Sequence, residues 1–213
     1  MEILFEDERL IVISKSRGEL VVAGRNSSQE PLSQILSRLK GRAIDPVHRL
    51  DKETSGIVIF AKESATHRQL CGYFEHRQVQ KTYHALVIGK MEGEGTIDLP
   101  LRLFGSGRMG VSKEGKKSLT RYRVLKSSPK ASLIEAYPLT GRRHQIRVHF
   151  NAIGHSVMGD SLYGSSKTPN APRLMLHALE IALPGKIWPA FRSEPPKDFL
   201  AFAENIFQNK TLD

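Results

Sequence analysis

The chain carries a single cysteine, Cys71, so no disulfide can close within it and no thiolate cluster can hold zinc. No apolar run approaches the roughly 20 residues needed to cross a bilayer. Met1-Glu2-Ile3 does not open the basic-then-apolar pattern of a signal peptide. Together these absences point to the cytoplasm, with no membrane partner. Eight histidines are present, but none forms His-x-x-x-His with a partner glutamate, and His144 and His149 are too far out of phase to share one helical face. No metal is expected. There is no glycine-rich phosphate loop ending in Lys-Ser/Thr, no strand-linked GxGxxG and no serine in a nucleophile elbow, so no cofactor is expected either. Internal repeats, low-complexity tracts and obvious linkers are also missing.

What the chain has in excess is positive charge. Thirty-two Lys+Arg against 22 Asp+Glu leave a net charge of +10 and a pI near 9.8. Such an excess favours a polyanionic partner bound through its phosphates; an inert basic surface is the competing explanation. Nucleic acid is favoured over membrane because no strongly basic amphipathic helix is visible. The 39% hydrophobic and 25% charged content is that of a globular protein, and 213 residues suit one large domain or two small lobes sharing a core.

Periodicity sets out the elements. Ile3-Leu4-Phe5 and Leu10-Ile11-Val12-Ile13 read as two short strands around a turn. After the loop "AGRNSSQEP", Leu32, Ile35, Leu36 and Leu39 fall at helical spacing, with Pro31 suited to the first turn and Gly41 to the end. A second helix is expected from Ser64 as N-cap, with Leu70 and Phe74 four apart; "KTYHALVIG" then reads as a strand. From Gly93 to Lys117 the sequence predicts a mobile, basic loop with its tip at "GSGRMGVSKEGKK". "LTRYRVLKSS" and "ASLIEAYPL" form a strand pair around Ser127 to Lys130. "TGRRHQIRVHFNAIGH" turns to helical periodicity, with Ile146, Phe150 and Ile153 on one face and Gly154 as stop. "RLMLHALEIALP" is a strand, and "DFLAFAENIF" a helix facing inward through Phe199, Phe202, Ala203 and Ile206. Helices and strands mix without strict alternation, which predicts an α+β fold with a mixed sheet.

One stretch stands apart. "HRLDKETSGIVIFAK", His48 to Lys62, sets an aspartate behind His48 and Arg49 and then runs into the strand-formers Ile57-Val58-Ile59-Phe60. By residue type alone Asp51 is a turn former. Arg49 lies two residues away, however, and "GRRHQIRVH" supplies Arg142, Arg143 and Arg147. Arg147 borders the apolar stripe of its helix, where a partly buried guanidinium needs a carboxylate; Asp51 is a candidate, and the alternative is an arginine that snorkels to the surface.

These residues carry a resemblance. "HRLDKETSGIVIFAK" resembles the signature of the RluA-type pseudouridine synthases, whose catalytic aspartate lies in His-Arg-Leu-Asp. "QKTYHALVIGK", "GKKSLTRYRV", "LTGRRHQIRVHFNAIGH", "MGDSLYG" and "RLMLHALEI" resemble further motifs of that family, in its order, from about Ile3 to Leu183. The resemblance implies a mainly antiparallel sheet flanked by helices around a central catalytic cleft. It assigns Asp51 as the essential carboxylate, Tyr83 as the ring stacked on the target base and Arg147 as the arginine paired with Asp51. Arg49 would hold the flipped nucleotide through its backbone. RNA contacts are expected from His48, Lys81, Arg108, Lys116, Lys117, Arg142, Arg143 and His144 as well. The chain departs from the family at Lys15-Ser16 and His155-Ser156, where relatives often have Lys-Pro and His-Pro; each change loses a rigid φ without removing a reacting group.

The implied activity is a cofactor-independent isomerisation of uridine to pseudouridine in structured ribosomal or transfer RNA. The expected form is a monomeric, single catalytic domain over 1–213, with no separate N-terminal RNA-binding domain and no obligate protein partner. Target choice then falls to the loops at 92–118 and 164–172. Two rivals stay open at this point. One is a non-catalytic RNA-binding module. The other is a nucleosidase or glycosidase with Glu53 as its second carboxylate, which would release free uracil.

Overall fold

Two runs of strand-formers, Leu10–Ile13 and Ile57–Ala61, are almost completely buried, as a short apolar run bounded by turn residues predicts. In the computed structural model, which describes residues 1–24, 28–164 and 171–208, each lies in a strand with neighbours on both sides. The described chain divides into two compact units, one of Met1–Lys81 with Ala178–Glu194, the other of Thr82–His177 with the segment from Pro195 on. Among the described residues there are four helices and twelve strands, an α+β architecture, and no helix is long and apolar enough to cross a membrane.

The first unit contains β1 (Glu2–Glu6), β2 (Leu10–Lys15), α1 (Leu32–Lys40), β3 (Asp45–Pro46), β4 (Ser55–Ala61) and α2 (Ser64–Glu75). β2 is antiparallel to β1 on one side and to β4 on the other, with Val12 opposite Ile59. Leu10, Val12, Ile57, Ile59, Leu70, Ile181, Trp188 and Phe191 form its core; each such side chain contributes about 1.5–3 kcal/mol by leaving water. Pro31 is the N-cap of α1 and Gly41, at φ 64°, its left-handed C-cap. Leu39 is exposed, so only part of the expected apolar face is used. Ser64 is the first helical residue of α2 rather than its cap; Glu63 holds that position.

The second unit follows with β5 (Gln80–Ile88, from Thr82 on), β6 (Glu94–Asp98), β7 (Leu101–Leu103), β8 (Met109–Val111), β9 (Leu119–Ser127), β10 (Ala131–Pro138) and α3 (Gln145–Ala152). Then come β11 (Leu176–Ala182), which enters the first unit at Ala178, β12 (Phe191–Arg192) in the first unit, and α4 (Lys197–Gln208) in the second. The strand order here is β5-β10-β9-β6, with all three pairings antiparallel. Phe150, Met158, Met175 and Phe199 fill its core.

The stretch expected to be a mobile loop, Gly93 to Lys117, is instead β6 and the β7–β8 hairpin. Three of its glycines, Gly95, Gly110 and Gly115, serve close packing, while Gly93, Gly105 and Gly107 have open space around them. A Cβ on Gly110 would lie 2.8 Å from the Phe104 ring, and one on Gly115 would lie 2.7 Å from the Leu101 backbone. α3 is also shorter than its motif: Thr140 to His144 form a turn, and helix begins at Gln145. Of the loop at 164–172, residues 165–170 lie outside the described residues.

Candidate active site

In the segment of the first unit leading to Asp51, Leu50 is buried, Arg49 is exposed, and His48 and Asp51 are half-buried. His48 Nε2 accepts the Ile59 N–H at 3.1 Å while its ring stacks on Phe74, centroids 4.7 Å apart. Burial, with the charge of Lys81 adding to it, pushes the imidazole pKa down to about 3. His48 ties this segment to β4 and α2.

Asp51 itself opens a turn that closes where the Thr54 N–H reaches its carbonyl at 3.1 Å. The next carbonyl, that of Lys52, accepts two bonds, one from the Gly18 N–H at 2.8 Å and one from Lys15 Nζ at 3.0 Å. Lys15 is only 1% exposed and also donates to the Ser16 carbonyl at 2.8 Å. A buried ammonium is tolerated only where such acceptors converge. Its effect is to lock the turn that presents Asp51. On the far side of the turn Gly56 adopts φ 113°, and a Cβ there would meet the Ala178 carbonyl oxygen at 2.2 Å. Only glycine fits.

In the second unit Tyr83 lies on β5 opposite Ala136 of β10, half-buried against the core. The turn before α3 is tied down by Gln145. Its Oε1 accepts the Thr140 hydroxyl at 2.6 Å and the Arg142 N–H at 3.0 Å, while Nε2 donates to the Leu119 carbonyl and Thr120 Oγ1, both at 3.0 Å. Arg147, in the first turn of α3, is buried rather than snorkelling. Its Nε donates to Asp160 Oδ2 at 2.7 Å and its Nη2 to Asp160 Oδ1 at 2.8 Å. Burial raises the Asp160 pKa, but the hydrogen bonds and charge of Arg147 outweigh it and hold the carboxyl below the ordinary range. The sequence reading named "MGDSLYG" as a motif without giving Asp160 or Tyr163 a role. The available signal was a carboxylate following a buried arginine's helix.

Asp160 is placed by the chain before it. The Met158 N–H donates to the Leu86 carbonyl at 2.8 Å, and the Met175 N–H to the Met158 carbonyl at 2.9 Å. Gly159 then turns at φ 72°. Of the other expected RNA contacts, Arg49, Arg143, Arg108, Lys116 and Lys117 are exposed, and Arg142 and His144 are half-buried. Lys81 is half-buried too, and burial lowers its pKa to about 8. No group of three His, Cys, Asp or Glu side chains among the described residues is placed to hold a metal.

The sequence profile of a family described as RNA pseudouridylate synthase matches residues 9–152. The chain is 39% identical over 188 residues to the dual-specificity RNA pseudouridine synthase RluA of Vibrio cholerae, covering 85% of this chain and 76% of that one. It is 37% identical over 198 residues to the ribosomal large subunit pseudouridine synthase D of Nitrosomonas europaea, covering 86% of this chain and 58% of that one. Among solved structures, human RNA pseudouridylate synthase domain containing 4 superposes with a TM-score of 0.81 at 27% identity, covering 97% of this chain and 93% of the other. The profile spans the Asp51 turn, Tyr83 and Arg147 alike, and the chain belongs to the RNA pseudouridylate synthase family.

Proposed function

We propose that this enzyme isomerises uridine to pseudouridine in structured ribosomal or transfer RNA, with Asp51 as the carboxylate that acts at the sugar. The observation that carries the reading is the profile match itself, whose span of residues 9–152 includes Asp51, Tyr83 and Arg147. The reaction breaks the bond between uracil N1 and the anomeric carbon, turns the ring, and joins that carbon to C5. The C5 proton leaves and N1 gains one, so nothing is oxidised or hydrolysed overall. A carboxylate can stabilise or trap the electron-poor sugar, as glycosidase carboxylates do, or take the sugar proton next to that centre. The locked Lys52 carbonyl supports Asp51 in that task by fixing the turn in advance of substrate.

Tyr83, in this reading, stacks on the freed base so that recapture outruns escape. Arg147, in this reading, is the arginine that pairs with Asp51 in the family's mechanism, and Asp160 fixes its guanidinium by Nε and Nη2. A uridine in a stem or folded loop must first swing out of its stack, at a cost of a few kcal/mol. Arg49, Arg142 and Arg143, with Arg108, Lys116 and Lys117 on and after the hairpin, offset that cost through phosphate contacts.

The test is tritium release from RNA labelled at uridine C5. Parent protein releases tritium and leaves no free uracil. Asp51→Asn, with RNA affinity within twofold of the parent, is expected to lose at least about a thousandfold in rate. Equal release from both proteins removes Asp51 from the mechanism. RNA binding with no release from the parent points to a binding module, and free uracil to a nucleosidase.

A further inference from the structure

We propose that Tyr163 is a positioning residue with two separable tasks: its hydroxyl latches the β7–β8 hairpin to the start of α3, and its ring holds the Arg147 guanidinium. The inference rests on the function proposed above and extends it to a residue of the "MGDSLYG" motif.

Four contacts converge on this residue. Its oxygen accepts the Met109 N–H, from the first residue of β8, at 3.1 Å. The same hydroxyl is 2.7 Å from His144 Nδ1, and the two rings stand edge to face, centroids 5.5 Å apart at 71°. The Arg147 guanidinium carbon lies 5.2 Å from the centre of the Tyr163 ring. Finally, the Tyr163 N–H donates at 3.0 Å to Asp160 Oδ1, the oxygen that also accepts Arg147 Nη2. Arg147 is thus held at one edge by a carboxylate and against an aromatic ring by cation–π attraction.

The hydroxyl and the ring do different work. A phenyl ring would serve Arg147 as well, yet the motif places a tyrosine here. His144 explains the choice. It is the N-cap of α3 and has φ 54°, a left-handed conformation that costs a non-glycine residue of order 1–3 kcal/mol. The bond to Tyr163 holds the imidazole there, and the Val148 N–H closes on the His144 carbonyl at 3.0 Å, so the hydroxyl ties down the start of α3 while the ring bears on Arg147. Burial raises the Tyr163 pKa, which keeps the phenol protonated near neutral pH.

The hairpin at the other end of the latch presents exposed Leu103, Phe104 and Arg108, with the Arg102 guanidinium 5.6 Å from the Phe104 ring centre. An exposed aromatic beside arginines is a surface on which an RNA base can stack. RNA that settles there bears on β8, whose Met109 amide ends at Tyr163. The hairpin and the reacting arginine are coupled through one phenol.

The experiment compares parent, Tyr163→Phe and Tyr163→Leu, using in vitro transcribed ribosomal RNA and transfer RNA labelled with tritium at uridine C5. Tyr163→Phe keeps the ring and is expected to raise KM for RNA about fivefold with kcat within twofold. It should also speed hydrogen exchange of the Met109 amide at least tenfold, with Tm close to the parent's. Tyr163→Leu is expected to lose a further tenfold or more in kcat. The proposal is overturned if Tyr163→Phe leaves KM and Met109 exchange unchanged, or if both variants lose kcat and KM in equal proportion. Should Tyr163→Leu not fold, the KM shift and the amide exchange of Tyr163→Phe decide alone. Parent protein that releases no tritium sinks the reaction proposed above; Met109 exchange and filter binding of the same RNA then still report on the latch.

Discussion

Arg147 and Asp160 meet edge to edge, Nε to Oδ2 at 2.7 Å and Nη2 to Oδ1 at 2.8 Å, with both side chains almost wholly out of water. Oδ1 also takes the Leu162 and Tyr163 N–H groups at 2.9 and 3.0 Å, so four donors converge on one carboxylate. Removing one partner of such a pair strands a buried charge and costs about 3–5 kcal/mol. Asp160→Asn is therefore expected to lower the unfolding free energy by an amount in that range, read as a lower urea midpoint with an unchanged m-value, and to lower activity through a displaced Arg147. The pH dependence has a fixed sign. Asp160 titrates below its unfolded value of about 3.9, so its contribution is full above that pH and fades as pH falls through the lower, folded value. The gap between parent and variant should hold constant from pH 7 to pH 5 and close only below about pH 4.

Much of this arrangement was legible in the residues. The runs at Leu10 and Ile57 announce buried strands because apolar character there is continuous, and Asp51 is conspicuous because a charged turn precedes one of them. Asp160 and Tyr163 were not legible. A partner for Arg147 13 residues downstream, reached through a loop, leaves no periodic trace in the sequence. The packing role of His48 was not legible either, since nothing in the sequence beside Arg49 and Asp51 announces an aromatic partner on α2. Burial against Phe74 made it a neutral acceptor. The hairpin was missed because glycine signals both flexibility and close approach, and only the positions of Phe104 and Leu101 show which applies.

Gly56 carries a prediction about the turn that presents Asp51. Its φ of 113° excludes an L side chain, and the atoms a Cβ would strike, the Ala178 carbonyl and nitrogen, are backbone and cannot rotate away. Backbone strain of about 1–3 kcal/mol adds to the cost of parting two packed strands. Gly56→Ala should lose at least about 3 kcal/mol in urea denaturation, a loss found only where such a mechanism operates. A variant as stable as the parent would show that β4 and β11 do not approach as closely as described.

Lys15 can be tested against the expectation that a buried charge is merely tolerated. Its Nζ bonds the Ser16 and Lys52 carbonyls, at either end of the clamp on the Asp51 turn. Lys15→Met keeps the length and apolar stem but leaves those acceptors without this donor, at a cost of about 1–3 kcal/mol. Because the turn rather than the core is loosened, kcat is expected to fall more than tenfold while KM for RNA stays within twofold. Equal losses in both constants would mean that Lys15 supports the unit as a whole and not the turn.

His48 makes the stability of the protein depend on pH in the mildly acidic range. Its folded pKa is near 3 and its unfolded value about 6.5, so between those limits the unfolded chain binds a proton that the folded chain refuses. Stability is whole above pH 6.5 and falls as pH drops toward 3, by at most about 1.4 kcal/mol per unit. His149, buried on Thr120 and the Leu99 carbonyl, is lowered by burial as well and adds to the same slope. His48→Gln supplies an amide oxygen for the Ile59 N–H and cannot titrate. At pH 7 the variant should be less stable than the parent, since it lacks the ring that stacks on Phe74. Between pH 6.5 and 4 its urea midpoint should decline less steeply, with the remaining slope owed to His149, so that the two proteins converge. Parallel curves across that range would show that His48 takes up its proton in the folded state, and the neutral plug beneath the Asp51 segment would have to be abandoned.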